Sequence, residues 1–193
     1  MISIVGCDHG HQRKAQSCWG QGVEAFEREQ KRQFVEVIEK VIVDIGPAFL
    51  GEEINQGADT FAADLARKHG CEYANVDMPE PRRREAGIPR SYSDDRKGHT
   101  AEELARWDRI REEFMADEAI RNLYGRNALV ICGRLHQNNL AQLFRDRGHE
   151  VRVVDISAEP WYSEHWLQDF LADSDRYDEL DRQFALRNRN NNQ

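Results

Sequence analysis

Met1-Ile2-Ser3-Ile4-Val5-Gly6-Cys7-Asp8-His9 and Ala128-Leu129-Val130-Ile131-Cys132-Gly133-Arg134-Leu135-His136 decide the fold. Each is a short apolar run, rich in Ile and Val, that closes on the pattern Gly-x-x-His and is followed by a helical pattern. Runs of this kind read as buried strands of a parallel sheet. Ligands of open α/β sheets bind outside the carboxyl ends of the strands, so His9 and His136 are expected on one rim. With 13 Gly and 7 His in 193 residues, about half of one such match arises by chance. The string alone therefore decides little, and its place at two strand ends decides more.

The segments between and after these runs complete an α/β reading. Phe34, Val37, Ile38, Val41, Ile42 and Ile45 recur at spacings of three and four, which predicts a helix over 23–45 with one buried stripe. Gly46-Pro47 stops it. Ala48-Phe49-Leu50-Gly51 reads as a short strand ending in Glu52-Glu53. Asp59 is the expected N-cap of a helix over 60–69 closed by Gly70, and 71–76 reads as a strand ending at Asp77. Residues 78–99, broken by Pro79, Pro81, Gly87, Pro89 and Gly98, read as an irregular loop. Thr100 with Glu103 has the form of a capping box opening a helix to about Leu123, its apolar side carrying Leu104, Trp107, Ile110, Phe114 and Ile120. A helix bearing Leu140, Leu143 and Phe144 follows the second Gly-x-x-His, and 151–156 returns as a strand.

The expected architecture is a central, mostly parallel sheet flanked by helices. Strand–Gly-x-x-His–helix–strand units are pseudo-repeated in it, and a helical C-terminal extension follows. One domain over 1–186 holds the loop 78–99 and the extension 157–186, with Trp161, Trp166, Leu167, Phe170 and Leu171 packing on the body. Residues 187–193, nearly all Asn and Arg, read as a frayed tail.

A formal net charge of −8 argues against nucleic-acid or anionic-membrane binding; Arg82-Arg83-Arg84 is the local exception. Charged residues are 32% of the chain and mean hydropathy is −0.81. No apolar run approaches the roughly 18 residues of a membrane span, and the start lacks the features of a signal peptide, so a cytoplasmic location is expected. Cys7, Cys18, Cys71 and Cys132 show no C-x-x-C spacing, which favours reduced, partly buried thiols over disulfides or structural zinc.

The candidate site gathers His9, Glu52, Glu53, Arg111 and His136, with Asp77 and Arg134 as substrate-binding residues. Two histidines and a carboxylate, here His9, Glu53 and His136, can hold a divalent ion such as Mn, Co or Zn with open positions. Without a metal the same groups can act as general base and orienting partner. Arg111 then binds an anionic group or a developing oxyanion, or else pairs with Glu52 or Glu53 to hold sheet and helix together. Asp77 either reaches the same rim or serves as a loop or N-cap aspartate. His11 reads as a polar-loop histidine.

The order Gly-x-x-His, strand-end Glu, helical Arg111 with Met115 four residues on, then Gly-x-x-His resembles the superfamily uniting TraB/Tiki proteins, erythromycin esterases and ChaN-like proteins. Arg111-Glu112-Glu113-Phe114-Met115-Ala116 followed by 128–136 is most similar to the TraB version. The resemblance spans roughly residues 1–156. It implies one site shared by His9, Glu52 or Glu53, Arg111 and His136. The superfamily is chemically mixed: metal-dependent proteases, hydrolases in which histidine activates water, and a haem binder. The chain departs from the TraB pattern in being short, in lacking a membrane anchor and in having Glu-Glu where one acidic residue is usual. Two functions stay open: a small hydrolase acting on a small molecule or peptide, and a non-catalytic module binding a small anion, haem or a partner protein. A third reading has the histidines only capping helices.

Overall fold

A computed structural model describes residues 1–14, 21–54, 56–89, 99–159 and 161–162, with residues 21–26 described as backbone alone. The elements are β1 (Ile2–Cys7), α1 (His9–Gln12), α2 (Gln21–Ile45), β2 (Phe49–Glu52), α3 (Phe61–His69), β3 (Glu72–Asn75), α4 (Glu80–Glu85), α5 (Ala101–Leu123), β4 (Ala128–Gly133), α6 (Arg134–Asp146) and β5 (Val151–Val154). The five strands form one sheet in the order β3-β2-β4-β1-β5, and every neighbouring pair is parallel. The α/β reading holds, and the sheet is wholly parallel.

Why these residues make a two-sided sheet follows from the strand period of two. Ile2, Ile4, Phe49, Val130 and Cys132 face a layer built by Met115, Ala116 and Ala119 of α5 and Leu140, Ala141 and Phe144 of α6. The alternate residues Val5, Leu50, Leu129 and Ile131 face Phe34, Ile38 and Ile42 of α2 and Leu65 and Ala66 of α3. Leucines and isoleucines that are wholly buried, as Leu129 and Ile131 are, each contribute about 1.5–3 kcal/mol of burial free energy.

Topology places the site. From β1 the chain moves over β4 to β2 and then β3 on one side, its helices on one face. From β4 it moves over β1 to β5 on the other side, with α6 on the opposite face. Strands β1 and β4 thus lie side by side while their onward connections part, which opens a crevice at their carboxyl ends. Cys7 stands opposite Gly133 in the register, so both Gly-x-x-His motifs end on this crevice.

Helix ends follow from their sequences in part. Thr100 and Glu103 form the expected capping box at α5, and Gly70, at φ 68°, closes α3 in the left-handed region that glycine tolerates. The cap of α3 is Thr60 rather than Asp59; Asp59 is held by the ammonium of Lys14 at 2.8 Å. Within 78–89 the chain is not irregular throughout, since Pro79-Glu80-Pro81 opens α4. Prolines suit the first turn of a helix, where no N–H is needed. On α5 the buried line runs through Trp107, Arg111, Met115 and Ala119. Leu104, Ile110, Phe114 and Ile120 are half-buried beside it, so Arg111 sits in the middle of the inner face rather than at its border.

Cys7, Cys71 and Cys132 are free thiols, and burial pushes all three up from the ordinary thiol range. Cys18, most of the extension 157–186 and the tail 187–193 lie outside the described residues. Among the described residues no helix is long and apolar enough to cross a membrane.

Candidate functional site

Strand β2 ends in two carboxylates, and the strand period sends them to opposite faces. Glu53 continues the ladder by donating its N–H to the carbonyl of Ile131 at 2.8 Å, and its side chain turns to the α5/α6 side. Its Oε1 accepts from Arg111 Nη2 at 2.8 Å. The same oxygen lies 3.5 Å from His136 Nε2 and 3.8 Å from His9 Nε2. Its Oε2 accepts the backbone N–H of Gly133 at 2.7 Å. Burial alone would raise this carboxyl, but the charges of His136, His9 and Arg111 and the Gly133 N–H bring it down to about 2. Glu53 is therefore an ionised centre ringed by two imidazoles and a guanidinium.

Each imidazole is delivered by a helix start. His9 opens α1, whose N-cap Asp8 accepts the N–H of Gly10 at 2.6 Å. Its Nδ1 meets Gln12 Oε1 at 2.6 Å. His136 lies in the first turn of α6, and its Nδ1 meets Glu112 Oε1 at 2.8 Å. Asn139 Nδ2 donates to that same Glu112 oxygen at 3.0 Å. Burial works to lower His136, yet the Glu112 hydrogen bond and the Glu53 charge outweigh it and leave the ring raised above its ordinary value. His136 is 9% exposed and His9 is 43% exposed, so the cluster opens to solvent at His9.

The two motif glycines make these approaches possible. A Cβ on Gly133 would stand 3.0 Å from His9 Nε2 and 3.3 Å from Glu53 Oε2, and one on Gly6 would stand 2.9 Å from the side chain of Gln137. Gly133 thus clears space for His9 of the first motif, and Gly6 for Gln137, the residue after the second.

Of the expected residues, His9, Glu53, Arg111 and His136 come together. Arg111 is not open to a substrate through Nη2, which also donates to Asp77 Oδ1 at 2.8 Å; the clamping role foreseen for it is the one its contacts describe. Asp77 reaches the rim only through arginines, since Arg83 of α4 also donates to it. Glu52 faces the other side, where it accepts from Thr60 Oγ1 at 2.7 Å, Tyr73 Oη at 2.7 Å and Gln12 Nε2 at 3.2 Å. Its carboxyl is raised by burial, with the hydrogen bonds from Tyr73 and Thr60 opposing. Arg134 is exposed and lies 6.0 Å from the Tyr162 ring, outside the Glu53 cluster.

The expected metal set fits poorly. His9, Glu53 and His136 offer suitable donor atoms, but the Glu53 oxygen they share already holds the Arg111 cation. Among the described residues no group of three or more His, Cys, Asp or Glu side chains is disposed to hold a metal ion.

Gln12, Glu112, Thr60 and Tyr73 went unseen in the sequence, and Arg83 was read only as part of the basic run 82–84. Glu112 had one signal, its place beside Arg111 on α5, but a single glutamate in so charged a chain reads as solvated. His11 is not a polar-loop histidine. It is 1% exposed, stacked on Tyr162 at 5.3 Å and edged by Trp161 at 5.9 Å, and burial lowers its pKa. Compared with protein-family models, curated proteins and solved structures, the chain matches none.

Proposed function

We propose that this chain is a cytoplasmic hydrolase of small-molecule or peptide substrates that activates water at the crevice between β1 and β4. The observation that carries the reading is the convergence of two histidine Nε2 atoms on one ionised carboxylate oxygen. The order of motifs that resembles the TraB/Tiki, erythromycin-esterase and ChaN-like superfamily supports it, as does the low exposure of every member except His9.

In this reading His9, at the open side, takes the proton of an incoming water as general base. His136, whose affinity for a proton is raised, enters protonated and gives its Nε2 proton to the leaving group; release of the His9 proton to solvent and uptake of one at His136 restore both rings. Glu53 stabilises the imidazolium that forms at either ring, because its negative charge lies within ion-pair distance of both. Arg111 and Asp77 hold Glu53 in place. No step is routed through a metal ion, since the guanidinium already occupies the carboxylate.

A panel of chromogenic esters, amides and peptides, assayed on wild type, His9→Ala and His136→Ala, tests this. Each substitution is expected to lower kcat/KM by about 10²–10⁴-fold, the usual contribution of a positioned acid or base. Dialysis against a chelator is expected to leave the wild-type rate unchanged. Hydrolysis that is indifferent to both histidines overturns the proposal, as does tight stoichiometric ligand binding without turnover, which would mark a binding module.

A further inference from the structure

We infer that Gln12 and Glu112 are positioning residues that fix the tautomers of His9 and His136, so that each neutral ring keeps its proton on Nδ1 and presents a bare Nε2 to the crevice. The inference rests on the proposed role of these two rings, and it follows from hydrogen-bond bookkeeping rather than from the reaction.

The orientation of Gln12 is settled by its neighbours. Its amide group faces two oxygens on one side, Glu52 Oε1 and the Glu53 carbonyl, each at 3.2 Å. A carbonyl oxygen always accepts, so the nitrogen of Gln12 must lie on that side. Its own oxygen then faces His9 Nδ1 at 2.6 Å, and an amide oxygen has no proton to give. Nδ1 must therefore be the donor. Gln12 is itself 0% exposed, and Glu52 is anchored by Thr60 and by Tyr73 of β3. The orientation of His9 is thereby tied to a strand at the far edge of the sheet.

His136 obeys the same logic with a different partner. Glu112 is buried, and its Oε1 accepts from Asn139 Nδ2 as well as facing His136 Nδ1. A carboxylate oxygen in that position demands a donor from the ring. A neutral imidazole carries one ring proton, so Nε2 of each ring is left with its lone pair toward Glu53. Outer partners that fix a histidine's tautomer recur wherever the opposite nitrogen does chemistry. The free side chain in water favours the other tautomer, so the arrangement works against an intrinsic preference and is measurable.

Long-range proton–nitrogen NMR spectra of ¹⁵N-labelled protein, taken at alkaline pH, read the tautomer of each neutral ring directly. Wild type is expected to show His9 and His136 each as a single Nδ1–H form. Gln12→Ala is expected to release His9 into a mixture while His136 stays fixed, and Glu112→Ala the reverse. Glu112→Gln, whose carbonyl oxygen can still accept, is expected to keep His136 in the Nδ1–H form, a rescue that loss of packing alone would not produce. An Nε2–H form at either ring in wild type overturns the inference, and so does an unchanged tautomer in both alanine variants. Wild type and Glu112→Gln decide the matter if an alanine variant fails to fold. Because the readout needs no turnover, absence of hydrolysis with the expected spectra would sink the hydrolase reading and leave this one standing.

Discussion

A methyl group added at Gly133 would press on His9 Nε2 at 3.0 Å and on Glu53 Oε2 at 3.3 Å. The backbone there, at φ −59° and ψ 137°, accepts any residue, so Gly133→Ala tests close approach without testing strain. Replacing glycine at a compatible backbone position gains about 0.4–1 kcal/mol through the unfolded chain. The expected outcome is a Tm close to wild type with kcat/KM down about a hundredfold, since misplacement of reacting groups by an ångström costs on that order; thermal melts run beside the hydrolysis assay check it. Two isolated Gly-x-x-His strings could say that glycine matters, but not that Gly133 makes room for His9 and Gly6 for Gln137. The Glu52-Glu53 pair shows a similar limit. Neighbours on a strand face opposite ways, yet nothing local says which way is in when both faces are buried. Gln12 was hidden by its setting, a polar stretch with no periodicity around it. His11 was hidden because Trp161 and Tyr162, which bury it, come from some 150 positions further along the chain.

Between elements, one guanidinium ties a helix to the ends of two strands. Arg111 of α5 binds Glu53 at the end of β2 and Asp77 just after β3, and Asp77 in turn binds Arg83 of α4. Buried pairs of this kind cost about 3–5 kcal/mol when one partner is removed, because the other charge is left uncompensated. Glu53→Gln is expected to lower stability by about that much at neutral pH. The carboxyl of Glu53 is depressed from 4.5 to about 2 in the fold, so its contribution is complete above the unfolded value and is lost as pH falls through the folded one. The gap between wild type and variant should therefore narrow from about pH 4.5 downward and close near pH 2, as urea titrations across that range would record. A gap that stays constant with pH would mean that Glu53 is not held ionised by its neighbours. Element by element, the long amphipathic helices and the Val- and Ile-rich strands were plain in the sequence because their periods are strong. The short helix α4 was not, since two prolines read as loop when they stand in fact at a helix start. The inner face of α5 was displaced by one position because a buried arginine looks polar in any apolar count.

At the scale of the molecule the order β3-β2-β4-β1-β5 makes β4 the central strand, paired with β1 on one side and β2 on the other. Strands β1 and β2 have no pairing with each other. A chain stopped at residue 99 would hold three strands but only the β2–β3 pair, and it is expected to show no cooperative unfolding transition by circular dichroism. Adding the segment from residue 100 onward as a separate chain is expected to restore one. A cooperative melt of the first fragment alone would contradict the sheet order. That the sheet would be parallel and two-sided was legible from the strand composition and the helices between strands. The interposition of β4 was not, because pairing partners as far apart as Phe49 and Ala128, or Ile2 and Ala128, leave no trace in local pattern. The same interposition has a consequence for synthesis. As the polypeptide leaves the ribosome, β1 emerges well before both of its pairing partners, and its backbone N–H and C=O groups stay without a strand neighbour until more than 120 further residues have appeared. During that interval the nascent chain offers chaperones a strand with both edges open.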